Sequence, residues 1–168
     1  KKELFIPEIG TVSYPSWSPN GDKIAYYFGS PTSPAELFLV NVTSLEKIQL
    51  TSLNNLSKLK NKLVSPKKIS YFSFDNMKIS AYLYTPSKVG TSKKLPAIVI
   101  AHGGPTSQFM DFLRSDVQYF VQNGFVVMLP NIRGSSGYGK KFEDANFQDW
   151  GHGDLRDIIA GVDHLKSL

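Results

Sequence analysis

Four stretches of this sequence carry residue types that could do chemistry. His102-Gly103-Gly104-Pro105 follows an apolar run. Two consecutive glycines leave backbone N–H groups sterically open, and such a turn can aim one of them at an oxygen on which negative charge develops. A tight turn that merely needs glycine accounts for the same residues. His102 could act as a base or metal ligand, but no second ligand lies close in sequence, and a packed histidine is the plainer reading. Gly134 to Lys141 is a near miss of the phosphate-cradling Gly-x-x-x-x-Gly-Lys-Ser/Thr loop, matching at Gly134, Gly139 and Lys140. Lys141 stands where a magnesium-binding hydroxyl belongs, and no helix is expected to open cleanly at Lys140. The competing reading is a flexible loop crossing a sheet edge. Trp150-Gly151-His152-Gly153-Asp154 with Asp157 could suggest a metal site, yet helix capping explains both aspartates and His152 is the one nitrogen ligand nearby. Ser136 fails as a nucleophile, because Gly134-x-Ser136-x-Tyr138 lacks the second glycine of Gly-x-Ser-x-Gly, and no other serine comes closer.

The elements that must position these residues change character along the chain. Val12 to Thr51 reads as about four short strands: Val12–Trp17, Lys23–Phe28, Glu36–Val42 and Lys47–Thr51. Ser18 to Asp22 makes a turn in which Gly21 can take a positive φ, and Gly29 to Pro34 breaks the second strand from the third. Four strands in some forty residues is the size of one propeller blade, which cannot bury both faces without companions. Ser52 to Lys68 is polar and rich in Lys, Asn and Ser, as linkers are. Ile69–Phe74 and Lys78–Tyr84 form a hairpin through Asp75-Asn76, with Ile79, Ala81 and Leu83 on one face. Leu95 to Ala101 reads as a strand buried on both faces. Phe112, Leu113, Val117, Phe120 and Val121 fall at helical spacing, with Gly124 as the stop. Phe125–Leu129 is a second buried strand. A helix then runs to Leu168 from an N-cap at Asp154, with Asp157 in its first turn and Leu155, Ile158, Ile159, Val162 and Leu165 on the buried face. Strand, helix, strand, loop, helix opens a parallel α/β sheet, and the site belongs at the C-terminal ends of its strands.

Composition narrows the function classes. The 168 residues are 41% hydrophobic and 12% aromatic, which excludes a disordered chain. No run approaches the ~18 apolar residues of a membrane helix, so no membrane partner is expected. With no cysteine there are no disulfides, thiolate zinc sites or cysteine nucleophiles, and a reducing, cytoplasmic setting is expected. The net charge of +5 is concentrated in the connecting stretch, where Lys47, Lys58, Lys60, Lys62, Lys67 and Lys68 face Glu46 alone. That stretch lacks arginine and interleaved aromatics, so no nucleic-acid partner is expected. No cofactor and no metal is expected either. Because the sequence opens at Lys1 without a leader and stops where another strand is due, it reads as a piece of a longer polypeptide.

Taken in order, Trp17-Ser18-Pro19-Asn20-Gly21, Pro96 to Gln108, Asn131-x-Arg133-Gly134-Ser135-x-Gly137-Tyr138-Gly139 and Trp150-Gly151 with Asp154 and Asp157 resemble the prolyl-oligopeptidase family of serine peptidases. Its acylaminoacyl-peptidase and dipeptidyl-aminopeptidase-like branch is the nearest in pattern. The resemblance implies an α/β fold: residues 1–51 as a propeller-blade remnant, 52–68 as linker, and 69–168 as the N-terminal half of an α/β-hydrolase domain. It implies hydrolysis of peptide bonds by acyl transfer, with the backbone N–H of Gly104 in the oxyanion hole and Arg133 shaping the sheet edge. No serine elbow, acid or histidine of a triad matches here, so the chain alone is expected to be inactive. The expected partners are a peptide substrate in the intact parent, and the rest of that parent or a second copy at an open sheet edge. An esterase-type hydrolase piece, a non-catalytic associating piece, and nucleotide binding at the Gly134 loop are the alternatives.

Overall fold

Short runs rich in aromatic and branched residues, separated by turns, make the first third of the chain an antiparallel meander. β1 (Thr11–Trp17), β2 (Lys23–Ser30), β3 (Ser33–Asn41) and β4 (Lys47–Gln49) pair in sequence order. At the first turn the Ser18 hydroxyl donates to Asp22 Oδ1 at 2.9 Å and accepts from the Lys23 amide at 3.0 Å, while Gly21 takes φ 73°. The second connection is tighter than the Gly29–Pro34 break expected from sequence. Pairing persists to Ser30↔Ser33 across a bulge, leaving only Pro31-Thr32 at the tip. Tyr26 and Phe38 stack at 5.8 Å, and Tyr26 and Val40 are buried. Val12, Tyr14, Trp17, Tyr27 and Ile48 remain exposed.

These strands come from a computed structural model, which describes residues 9–52, 62–87, 94–104 and 106–168. Lys1, most of the expected linker (53–61) and Pro105 lie outside the described residues. Two units are distinguished: one runs to Leu63 and takes in Met110–Arg114, and the other comprises Val64–Phe109 and Ser115–Leu168.

The second unit is α/β. β5 (Lys67–Phe72), β6 (Lys78–Tyr84), β7 (Ala97–Val99) and β8 (Val126–Asn131) form one sheet in the order β5-β6-β8-β7, with α1 (Ser115–Gln122), α2 (Lys140–Asp144) and α3 (Gly153–Ser167). The β5–β6 hairpin is antiparallel and turns at Asn76, whose φ is 63°. β7 and β8 are parallel, as a strand–helix–strand crossover requires. β8 is apolar from Val126 to Pro130 because both its faces are covered: Val127 and Leu129 join Tyr84, Phe109, Val117 and Val121, while Met128 joins Tyr71, Ile79, Ala81 and Leu83. The stop at Gly124 is as expected, with φ 89° and the Phe125 amide reaching back to the Phe120 carbonyl. Buried Gln118 of α1 bonds both the amide and the carbonyl of Val64, fixing where the chain enters this unit.

Three expectations need correction. β7 is three residues long with Ala97 exposed, not a strand buried on both faces from Leu95 to Ala101; it lies at a sheet edge, and among the described residues it pairs only with β8. α1 starts at Ser115, so Phe112 and Leu113 precede it and group with the first unit. α3 bears out the expected face only in part: Leu165 packs against the core and Ile158 and Val162 are half-buried, but Leu155 and Ile159 are exposed, and the residues fully buried are Gly153, Asp157 and Gly161. Small residues let the helix approach the sheet closely: a Cβ on Gly161 would stand 2.6 Å from Met128 Cε and 2.7 Å from Tyr71 Oη. Among the described residues no helix is long and apolar enough to cross a membrane.

Candidate active-site turn

Parallel β7 and β8 end on the same side of the sheet, and each continues into a glycine-bearing segment there. Beyond β7 comes the His102–Gly104 turn; beyond β8 comes Ile132 to Gly139. This is where open α/β sheets carry their sites. The two segments grip each other. Asn131, fully buried, accepts the Phe109 amide at 2.7 Å and donates through Nδ2 to the Phe109 carbonyl at 3.1 Å and the Tyr138 hydroxyl at 2.8 Å. The Ser136 amide donates to the Ser107 carbonyl at 2.9 Å. Gly137, at φ 85°, leaves room for Gln108, whose amide nitrogen would sit 2.9 Å from a Cβ there.

Gly104 sits just ahead of these anchors, exposed, with φ 139°. A Cβ at this position would stand 2.9 Å from the Thr106 amide nitrogen, so glycine is required sterically as well as conformationally. Among the described residues, no backbone carbonyl takes the Gly104 N–H.

His102 is packed. Its Nε2 lies 2.8 Å from Ser135 Oγ, and the ring meets Phe109 edge-on at 5.2 Å. Its Nδ1 lies 3.2 Å from the Gly103 carbonyl, so both ring nitrogens are engaged, and the Ser135 hydroxyl lies 2.5 Å from the Ile132 carbonyl. Ser135, with no exposed surface, is not a nucleophile. His152 is exposed and contacts Asp149 Oδ1 at 3.1 Å. Among the described residues no group of three His, Asp or Glu could hold a metal.

The Gly134–Lys141 stretch departs from expectation in one respect: a helix does open at Lys140. It lasts five residues, and the Lys140 ammonium pairs with Asp144 in its own next turn. Asp154 is likewise not the N-cap of α3. His152 holds that position, and the Gly153 amide is taken by Asp149 Oδ2 at 3.0 Å, because the preceding loop folds Asp149 back over the helix end.

Asp157 is the largest departure. Expected in the first turn for the sake of the helix dipole, it is fully buried and accepts from the Arg133 amide (2.9 Å), Nε (2.9 Å) and Nη2 (2.8 Å) and from the Ser73 hydroxyl (2.5 Å). Arg133 also forks onto Asp75 with two bonds of 3.0 Å. Those carboxylates, Asp157 first, hold the Arg133 guanidinium protonated well above its ordinary range, and the Arg133 bonds hold the Asp75 carboxyl below its ordinary value. Phe74 packs between Arg133 (4.8 Å) and Arg156 (3.6 Å). This network joins the β5–β6 turn, the end of β8 and α3, and thereby fixes the base of the segment that grips the Gly104 turn. Arg133 was legible as structural; its buried partner 24 residues away was not.

Comparisons with known proteins agree on one family. Residues 111–168 match the prolyl oligopeptidase family model. Dipeptidyl-peptidase 5 of Schizosaccharomyces pombe is 33% identical over 135 residues, covering 77% of this chain and 20% of that protein. An uncharacterized peptidase of Bacillus subtilis, YuxL, is 29% identical over 148 residues, covering 88% of this chain and 22% of that protein. Among solved structures, an acylaminoacyl peptidase of Pyrococcus horikoshii superposes with a TM-score of 0.82 at 25% identity, over 97% of this chain and 25% of that one. The chain thus spans about a fifth of the length of the curated relatives it matches. Over the stretch it shares with these proteins, the chain belongs to the prolyl oligopeptidase family.

Proposed function

We propose that this chain is part of a serine peptidase that hydrolyses peptide bonds of short peptides by acyl transfer, and that it contributes the backbone N–H of Gly104 to the oxyanion hole. The observation that carries the reading is Gly104 itself, exposed, at φ 139°, five residues beyond the parallel strand β7, with its amide taken by no backbone carbonyl among the described residues. In the proposed reaction a serine hydroxyl attacks the peptide carbonyl and passes its proton to a histidine. The carbonyl oxygen becomes an alkoxide that the Gly104 N–H stabilises; collapse of the adduct expels the amine, which takes the proton back from the histidine, and water then hydrolyses the acyl-serine to free the acid and the serine hydroxyl. A donor of this kind is worth ~10²–10³ in rate. The serine, its histidine and its acid are not supplied by this chain, since no Gly-x-Ser-x-Gly occurs in it. Two matched relatives are named as peptidases, which supports a peptide substrate.

In the same reading, residues 1–51 are one blade of a propeller, 52–68 the linker and 69–168 the first half of the hydrolase domain. The apolar side chains exposed on β1–β4 support the blade, because neighbouring blades would cover them. The edge strand β7 then receives its next partner from the rest of the parent. Labelling with a serine-reactive fluorophosphonate tests the proposal. The chain alone is expected to stay unlabelled, and the same chain joined to the polypeptide its relatives carry beyond the match is expected to label stoichiometrically. Stoichiometric labelling of the chain alone, or none of the longer form, overturns it.

A further inference from the structure

We propose that Asn20, in the turn between β1 and β2, is a site of spontaneous covalent modification: its side chain closes onto the Gly21 nitrogen and reopens as aspartate or isoaspartate. The inference is independent of the peptidase reading. Asn-Gly is the dipeptide on which this closure is easiest, because glycine lets its nitrogen be approached with no Cβ in the way. The chain contains the pair twice, at Asn20-Gly21 and Asn123-Gly124, and the fold holds the two differently.

Pro19 and Asn20 are the corners of a turn closed by the Gly21 amide on the Ser18 carbonyl at 2.9 Å. Asn20 and Gly21 are both exposed, and apart from its chain neighbours nothing lies within 4 Å of where a Gly21 Cβ would stand. Among the described residues no hydrogen bond holds the Asn20 carboxamide. The ends of the turn are held without it, by the Ser18 hydroxyl on Asp22 and the Lys23 amide on Ser18, so one exposed bond can open while the strands stay paired. Asn123 is tied at the end of α1. Its Nδ2 donates to the Tyr119 carbonyl at 2.8 Å, its own amide to the Phe120 carbonyl at 3.0 Å, and the Gly124 amide to the Val121 carbonyl at 3.1 Å. Closure there must release the helix end as well.

The step balances with water alone. The Gly21 amide loses its proton to a solvent base, its nitrogen bonds to Asn20 Cγ, and the Cγ–Nδ2 bond breaks, with Nδ2 taking a proton and leaving as ammonia. Water then cleaves the cyclic imide at one of its two carbonyls. Attack at Cγ gives aspartate; attack at the backbone carbonyl carbon leaves the main chain running through Cγ, as isoaspartate. Either product lowers the net charge of +5 by one unit, and isoaspartate adds a methylene to the backbone of the turn. Asparagine and glycine are ordinary turn formers, which accounts for their presence; the unheld side chain and the single exposed bond make this turn reactive.

Ageing the chain in mildly alkaline buffer, with and without urea, tests the site. Isoaspartate is counted by isoaspartate-specific methyl transfer from S-adenosylmethionine and located by peptide mapping. In native buffer it is expected at position 20, appearing about tenfold faster than at position 123, which reacts only when the helix end opens. In urea the two rates are expected to converge, since both asparagines precede glycine. Asn20→Gln, whose longer side chain closes a larger and slower ring, is expected to abolish the signal at position 20. Equal rates at the two positions in native buffer, faster reaction at position 123, or no isoaspartate at position 20 overturns the proposal.

Discussion

Asn131 ends β8 and simultaneously satisfies the amide and the carbonyl of Phe109, a residue 22 positions earlier. A side-chain amide has the donor and acceptor needed to pair with both peptide groups, as a strand neighbour would. Leucine fills a similar volume and can pair with neither, which strands two buried backbone groups at ~1–3 kcal/mol each. Asn131→Leu is therefore expected to lower the unfolding free energy by about 2–4 kcal/mol in urea titrations; a loss under ~0.5 kcal/mol would mean that the Gly104 turn is held by other contacts. The glycine pair itself was visible in the sequence, although a plain tight turn accounted for it equally well. Its supports were not. Asn131, Ser135 and Asp157 are ordinary polar residues until the fold brings their partners across gaps of 22, 33 and 24 residues. Nothing in the local spacing reports such a pairing.

At the level of elements, strands were easier to read than helix faces. β6 alternates in sequence as it does in burial, with Ile79, Ala81 and Leu83 covered, and β2 and β3 were legible from their turns and apolar content. For α3, counting large apolar residues selected a stripe through Leu155 and Ile159, both exposed. The helix is buried most fully at Gly153, Asp157 and Gly161, and small residues register weakly in any hydrophobicity count. β7 misled for a related reason: an apolar run resembles a central strand whether or not a second neighbour is present. Gly161→Ala tests the close approach. Alanine favours the helix by about 1 kcal/mol, but its methyl must displace Met128, which is flexible, and Tyr71, whose ring is held by the Asp157 carbonyl at 2.9 Å and by stacking on His164. Overpacking at ~1–3 kcal/mol outweighs the helical gain, so a net loss of about 1 kcal/mol and a lower melting temperature are expected; a gain would show that the helix rides higher on the sheet.

Over the whole chain, the change from a β meander to an α/β unit was legible because the periodicity itself changes near the polar stretch at 52–68. Resistance to acid is also a property of the whole chain. The folded state holds Asp75 below its ordinary pKa of 3.8, so the unfolded chain binds more protons in the interval between the two values. Stability is then flat from neutral pH to about 5 and falls as pH drops through the ordinary carboxylate range toward the lower folded value. Urea midpoints at pH 7, 5 and 3 are expected to fall more for the wild type than for Asp75→Asn between the last two, with the difference shrinking in high salt because Asp75 is partly exposed. Parallel curves for the two proteins would contradict this.

The buried guanidinium–carboxylate contact also limits how the sequence can drift. Lysine at 133 supplies no fork for two carboxylates, and glutamate at 157 is one methylene too long for a space already filled by Ser73 and the β8 terminus. Replacing Arg133 strands the Asp157 charge in a dry interior, and replacing Asp157 leaves the buried guanidinium with the partly exposed Asp75 alone, whereas an exchange of both for well-packed apolar residues is tolerable. Inheritance of the two positions is therefore coupled, and a descendant that abandons one is expected to have abandoned the other in the same step.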